Sequence, residues 1–306
     1  MELRNIGSLE VSVVGVGCNN FGWRIDAAGT QAVVDAALEE GINFFDTADM
    51  YGTGQSEEYL GRALGSRRQK AIVASKFGLP MGDGRSGAKP AYIRQAVEDS
   101  LRRLGTDRID LYQLHKPDPA TPIGETLATL DELVRAGKVR EIGCSNFSVE
   151  QLREALGAVR AGTARFVSVQ NEYSLVQREP EDGVLGECRG QGMAFLPYFP
   201  LANGLLSGKY RRGAPLPPGS RGGDGWGPKI FTDANLAKAE DLARFAEEHG
   251  HTLLELAVSW LAAQNPIASV IAGAKTPDQV RSNARAAGWR LGLAEVTAIG
   301  SLAARA

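Results

Sequence analysis

The chain has 306 residues, 43% of them hydrophobic and 23% charged, with a net charge of −2 and a pI near 6.0. That composition excludes a disordered chain and offers no basic surface to nucleic acid or to an anionic membrane. The length suits two ordinary domains or one α/β barrel of ~250 residues. The 37 glycines, against a usual ~7%, point to many tight turns or to backbone that approaches a ligand. Three dispersed cysteines, Cys18, Cys144 and Cys188, make neither a disulfide framework nor a zinc site. With no signal pattern in Met1–Glu10 and no apolar run of membrane-spanning length, a cytoplasmic protein is expected.

Leu3–Ile6 and Leu9–Val13 flank the turn pair Gly7-Ser8 and predict a β-hairpin. Eight strand-like runs follow: Val13–Val16, Phe44–Thr47, Ala71–Lys76, Ile109–His115, Val139–Cys144, Phe166–Gln170, Ala194–Tyr198 and Ile267–Ile271. Between them lie stretches with a period near 3.6, namely Thr30–Glu40, Ser56–Leu64, Pro90–Leu104, Ile123–Ala136 and Ser148–Arg160. Glycines 41, 65, 105 and 137 follow four of these helices, where a C′ residue takes a positive φ. Ser148 and Gln151 form a capping-box pattern. Such alternation implies parallel strands joined by helical crossovers, and eight repeats without a break in composition predict an α/β fold, a single (β/α)8 barrel over residues 1–306. The hairpin would cap its bottom, and Leu293–Ala304 would add an extra C-terminal helix. The Gly/Pro-rich stretch Arg211–Ile230 follows the seventh strand and is expected to cover a ligand, with a plain disordered insertion as the alternative.

Two phosphate-binding patterns fail. Gly15-Val16-Gly17-Cys18-Asn19-Asn20 lacks the third glycine of a dinucleotide fingerprint, and Gly204–Tyr210 is one residue short of a P-loop. His115, His249 and His251 have no metal-ligand spacing, and the last two read as solvated residues at a helix end.

In a barrel the reactive groups sit at the C-terminal ends of strands. Four polar side chains converge there: Asp46, Tyr51, Lys76 and His115. A buried lysine needs a partner, and Asp46 on the adjacent strand can be one. An ammonium beside a phenol favours the phenolate, so Lys76 is expected to lower the Tyr51 pKa and prepare a general acid, with His115 orienting a carbonyl oxygen or relaying a proton. Residue types alone allow an equally simple alternative, a structural Lys76–Asp46 bridge with Tyr51 as a loop aromatic.

The stretch Gly41-Ile42-Asn43-Phe44-Phe45-Asp46-Thr47-Ala48-Asp49-Met50-Tyr51-Gly52, followed by Ser56-Glu57, resembles the most specific motif of the aldo-keto reductase superfamily. Ile142–Phe147, Pro197–Leu201 and Gly273–Asn283 resemble three more, so the resemblance runs nearly end to end. It implies a catalytic tetrad of Asp46, Tyr51, Lys76 and His115 with Tyr51 as proton donor. It implies NADP(H) bound across the barrel mouth, with Asp46 among the cofactor-side residues. Ser145, Asn146 and Gln170 would hold the nicotinamide carboxamide and Tyr198 would stack on the ring. Pro200, Leu201 and Lys209 would line the pyrophosphate, Arg221 would clamp it, and Gly273, Lys275, Gln279 and Asn283 would meet the adenosine end. Ala272, Phe199, Asn203 and Ser282 depart from the usual pattern of the family. Lys275 and Arg221 favour NADP over NAD. The implied partner is a small carbonyl substrate; Trp23, Met50, Phe77 and Trp226, on loops of the expected active face, suggest an apolar pocket for it, though Trp23 and Trp226 could equally be packing anchors. A cofactor-sensing subunit of the channel-beta type and an NAD-linked sugar dehydrogenase are the competing readings.

Overall fold

The computed structural model describes residues 1–82, 84–217 and 227–304. Strands β1 (Leu3–Ile6) and β2 (Leu9–Ser12) form the expected antiparallel hairpin. They are followed by β3 (Val14–Gly17), β4 (Phe44–Asp46), β5 (Ile72–Phe77), β6 (Ile109–Leu114), β7 (Val139–Ser145), β8 (Phe166–Glu172), β9 (Ala194–Tyr198) and β10 (Val270–Gly273). These eight lie in one parallel sheet in the order β10-β3-β4-β5-β6-β7-β8-β9. Backbone bonds close it into a barrel: Phe195 N–H donates to Pro266 O (3.0 Å) and Ala268 N–H to Phe195 O (3.1 Å). The expected last strand, Ile267–Ile271, therefore divides its work. Ile267 bridges to Phe195 across the seam, and regular pairing with β3 begins at Val270 and reaches Gly273.

Strand period sorts the side chains into two cores. Ile6, Leu9 and Val11 of the hairpin pack with Phe44, Ala74, Leu111, Leu196 and Ile271 inside the barrel, so the hairpin plugs it as expected. The alternate residues, such as Val73, Phe77, Tyr112 and Phe195, face the surrounding helices. Gly15 is set by this filling, because a Cβ there would lie 2.7 Å from the Phe44 ring.

Helix ends follow local chemistry. The first helix starts at Ala27, three residues before the expected Thr30, because the Asp26 side chain accepts from Gly29 N–H and caps it. The helix Pro90–Leu104 ends at Gly105 (φ 61°), and Ser148 and Gln151 make the reciprocal capping box of Val149–Gly157. The extra helix Leu293–Ala304 is present. Within the stretch read as a covering loop, residues 211–217 are irregular and Gly227–Ile230 is a short helix. Arg221 and Trp226 lie outside the described residues, and the covering role is not tested by them. No helix among the described residues is long and apolar enough to cross a membrane.

Candidate active site

Inward-facing positions on β4, β5 and β6 deliver the polar cluster. On β4, Phe44 fills the barrel and Asp46, two residues on, reaches its mouth; on β5 Ala74 and Lys76 do the same. Lys76 and Asp46 are buried, and Nζ lies 2.6 Å from Asp46 Oδ2, 3.0 Å from the Thr47 carbonyl and 3.5 Å from the Tyr51 hydroxyl. Asp46 Oδ1 accepts from Gln170 Nε2 (2.9 Å) and Gln113 Nε2 (3.2 Å). The carboxylate is thus bonded through both oxygens, which fixes where the ammonium points. Tyr51 enters from the loop after β4 and meets His115 edge to face, with ring centroids 5.9 Å apart.

The electrostatics correct one expectation. Burial raises the Tyr51 phenol above its ordinary value near 10; the Lys76 ammonium pulls it down without prevailing, and Asp46 pushes it further up. Tyr51 is therefore held in its protonated form. Burial works against the charge on Lys76 too, but Asp46 and then Tyr51 more than offset it and its pKa rises. His115 is driven down to about 2 by burial and by the nearby Lys76 and Lys116 ammoniums, so its imidazole is neutral at physiological pH. His115 Nδ1 is buried and has no hydrogen-bond partner among the described residues.

These groups open onto a cleft of about 710 Å³ bounded by residues at the C-terminal ends of the strands, within the range typical of ligand pockets. Asp46, Met50, Tyr51 and His115 line one end of it. Ser145, Asn146, Gln170 and Tyr198 line it beside them, then Pro200, Leu201 and Lys209, and finally Gly273, Lys275, Gln279 and Asn283. The amide wall is rigid. Ser145 Oγ donates to Gln170 O (2.7 Å), Asn146 Nδ2 to His115 O (2.9 Å), and the Tyr198 hydroxyl to Asn146 Oδ1 (2.8 Å). Asn146 holds a left-handed backbone (φ 62°), which asparagine tolerates and which turns its amide toward His115. At the far end Thr276 caps the helix Pro277–Ala286, and Gln279 Oε1 accepts from Lys275 N–H (2.8 Å).

Two of the residues expected to line the substrate pocket stand elsewhere. Phe77 is fully buried outside the barrel, stacked on Tyr112 at 4.8 Å, and does not border the cleft. Lys76 points inward, so its neighbour on the strand must point out. Trp23 is 66% exposed under the Arg24 guanidinium and does not border the cleft either. His249 and His251 are more engaged than expected: His249 stacks on Phe245, and His251 lies on the Trp289 ring at 4.1 Å. Sequence reasoning missed Gln113, which shares the inward face of β6 with Leu111; that alternation is the signal that would have found it. It also missed Lys116 and Glu172, both bordering the cleft.

The residues 13–304 match the Aldo/keto reductase family. The chain belongs to the aldo/keto reductase family. It is 32% identical to a probable voltage-gated potassium channel subunit beta of Arabidopsis thaliana, over 94% of this chain and 91% of that one. It is 31% identical to the L-glyceraldehyde 3-phosphate reductase of Escherichia coli, over 88% and 81%. The solved structure of a glycerol dehydrogenase from Gluconobacter oxydans superimposes with a TM-score of 0.84 at 33% identity, over 98% and 94%. This aldo/keto reductase is accordingly an oxidoreductase of a family that uses a nicotinamide cofactor and acts on small carbonyl compounds.

Behind its barrel mouth lies a second buried carboxyl. Asp49 N–H donates to Lys76 O, its Oδ2 accepts from the Tyr92 hydroxyl (3.3 Å), and Oδ1 has no partner among the described residues. Burial, then the Glu57 carboxylate, raise its pKa to about 7. The folded state thus holds this proton more tightly than the unfolded chain does. Asp49 leaves stability intact below pH ~4 and lowers it progressively as the pH rises through 7, by up to about 4 kcal/mol. Asp49→Asn should raise the unfolding free energy at pH 8, with a gain that shrinks toward pH 5. Denaturant titrations at the two pH values measure this, and a pH-independent difference would refute it.

Proposed function

We propose that this chain reduces an aldehyde or ketone to an alcohol with NADPH, and that the Tyr51 hydroxyl donates the proton. The observation that carries the reading is the Asp46–Lys76–Tyr51 chain of contacts beside a neutral His115 at the mouth of the cleft. The cleft suits the cofactor by its donor set: amide and hydroxyl groups at the end near Tyr51, and two lysines and a helix N-terminus at the other. When bound, the cofactor supplies the hydride.

The protein's own residues do the rest. Tyr51, kept protonated by burial, offers its hydrogen to the carbonyl oxygen and transfers it as negative charge develops there. Lys76 beside the hydroxyl stabilises the phenolate left behind, and Asp46 holds Lys76 charged and aimed. Neutral His115 orients the oxygen with a ring N–H and brings no competing charge. Ser145, Asn146 and Gln170 present the nicotinamide carboxamide with groups already fixed by the bonds among them, and Tyr198 backs the ring. Pro200, Leu201 and Lys209 follow the pyrophosphate. Lys275, with Gly273, Gln279 and Asn283, meets the adenosine end, where its ammonium recognises a 2′-phosphate and favours NADP over NAD. Met50 contributes an apolar wall for the substrate. Trp226 and the clamp by Arg221 complete the reading from sequence alone.

The test follows NADPH oxidation with a panel of aldehydes that includes nitrobenzaldehydes and methylglyoxal. Turnover is expected with NADPH well above NADH, and Lys275→Ala should narrow that gap. The potassium-channel subunit beta among the relatives favours a second reading, a cofactor-sensing binding subunit. Cofactor-dependent capture of a protein partner with negligible multiple turnover would support it, and fast turnover counts against it. The similarity to a glycerol dehydrogenase keeps NAD-linked alcohol oxidation as the outcome if NADH is preferred.

A further inference from the structure

Lys116 follows His115 directly and borders the same cleft. It is exposed and has no ion-pair or hydrogen-bond partner among the described residues, in contrast to Lys76, which is fully engaged with Asp46. Its backbone is not free to wander. His115 N–H donates to Phe77 O and the His115 carbonyl accepts from Asn146 Nδ2, both at 2.9 Å. Two residues after Lys116, Asp118 accepts from Ala88 N–H, Ala120 N–H and the Thr121 hydroxyl at 2.7 to 2.9 Å. A charged side chain thus stands on a pinned loop at the rim of the reacting centre, with Met50 and Leu79 as apolar neighbours along the cleft.

Nothing in the proton-donating arrangement uses this ammonium. The Asp46 carboxylate is already matched by Lys76. The other carboxyl on this part of the cleft among the described residues, Glu172, belongs to β8, two strands away, in register with Tyr198. Among the described residues no carboxylate pairs with the Lys116 ammonium, which stands at the solvent-facing rim of the cleft.

Building on the carbonyl-reductase reading above, we propose that Lys116 selects short carbonyl compounds that carry an anionic group, a carboxylate or a phosphate. The anion would pair with Lys116 at the rim while the carbonyl oxygen rests against Tyr51 and His115. Lys116 adjoins His115 in the chain, with Cα atoms about 3.8 Å apart, and both residues border the cleft. The two residues thus serve one short stretch of the cleft, which suits a short carbonyl compound with its anion near the carbonyl carbon. A long-chain acid aldehyde would overshoot this cation, and a neutral aldehyde would leave it unpaired.

Matched pairs test this: succinic semialdehyde against butanal, 4-carboxybenzaldehyde against benzaldehyde, and glyceraldehyde 3-phosphate against glyceraldehyde. The first two pairs read a carboxylate and the third a phosphate. At least one charged member is expected to exceed its neutral partner at least fivefold in kcat/KM, chiefly through KM, with an advantage that falls as salt is added. Lys116→Met should abolish the preference, Lys116→Glu should invert it, and Lys116→Arg should keep it. A merely structural role for Lys116 would lower both members of each pair alike. Equal values throughout in the parent protein, or a preference that survives both Lys116→Met and Lys116→Glu, overturn the proposal. Calorimetric binding of 4-carbamoylbenzoate against benzamide separates this from the reaction itself. A fivefold or greater loss of carboxylate affinity in Lys116→Met upholds the anion site even if no carbonyl is reduced, in which case the reductase reading fails alone. Unchanged affinity together with an inactive panel sinks both.

Discussion

Tyr51→Phe should lower kcat for carbonyl reduction by about 10²–10⁴-fold, the usual contribution of a positioned general acid, and leave cofactor affinity within a few-fold. The substitution removes one oxygen from a ring whose place against His115 is otherwise kept. The same geometry sets the pH profile. Tyr51 donates only while protonated, and burial raises its pKa above the ordinary value near 10. His115 changes charge only near pH 2. Reduction should therefore run at a flat rate across neutral pH and decline only in alkali, where the phenol is lost. Single-turnover reduction rates at a series of pH values, with cofactor affinity from fluorescence titration, check both statements. Unaltered kcat in Tyr51→Phe would take Tyr51 out of the donor role.

Lys76→Met is the second large effect, and it separates stability from chemistry. Asp46 is 3% exposed and its Oδ2 rests on the ammonium. Removing the cation leaves a buried carboxylate supported only by two amides, which costs about 3–5 kcal/mol. It also removes the charge that stabilises the Tyr51 phenolate. The double substitution Asp46→Asn with Lys76→Met should recover most of the lost stability, since no unpaired charge remains, and should recover none of the turnover. Denaturant melts and NADPH oxidation on the three variants measure the two effects side by side. Recovery of activity in the double variant would mean that Lys76 serves only to neutralise Asp46.

Much of the site was legible because strand period and strand ends are local properties. The order of strands and helices, the glycine after the helix Pro90–Leu104 and the capping box at Ser148 are written in short windows of sequence. So is the run Asp46–Tyr51, with the inward face of β4 leading to Asp46. The same rule applied at Lys76 excludes Phe77 from the pocket, because adjacent residues on a strand face opposite sides. Extended along β6 from Leu111 to His115, it reaches Gln113. Trp23 gave no such signal: a large aromatic on a loop can face the cleft or the solvent, and only the packing of Asn20–Ile25 decides that it stacks under Arg24.

By itself, the sequence determined which chemical groups arrive at the mouth of the barrel, since eight strand-helix repeats place their strand ends on one face. The tertiary structure decided the charge each group carries there. The Tyr51 phenol was expected to be lowered by Lys76 and is raised, Asp49 titrates near 7, and His115 stays neutral. Each outcome is a contest between desolvation, which depends on everything packed around the group, and the charge nearest to it. Residue spacing carries the second of these terms and holds no record of the first.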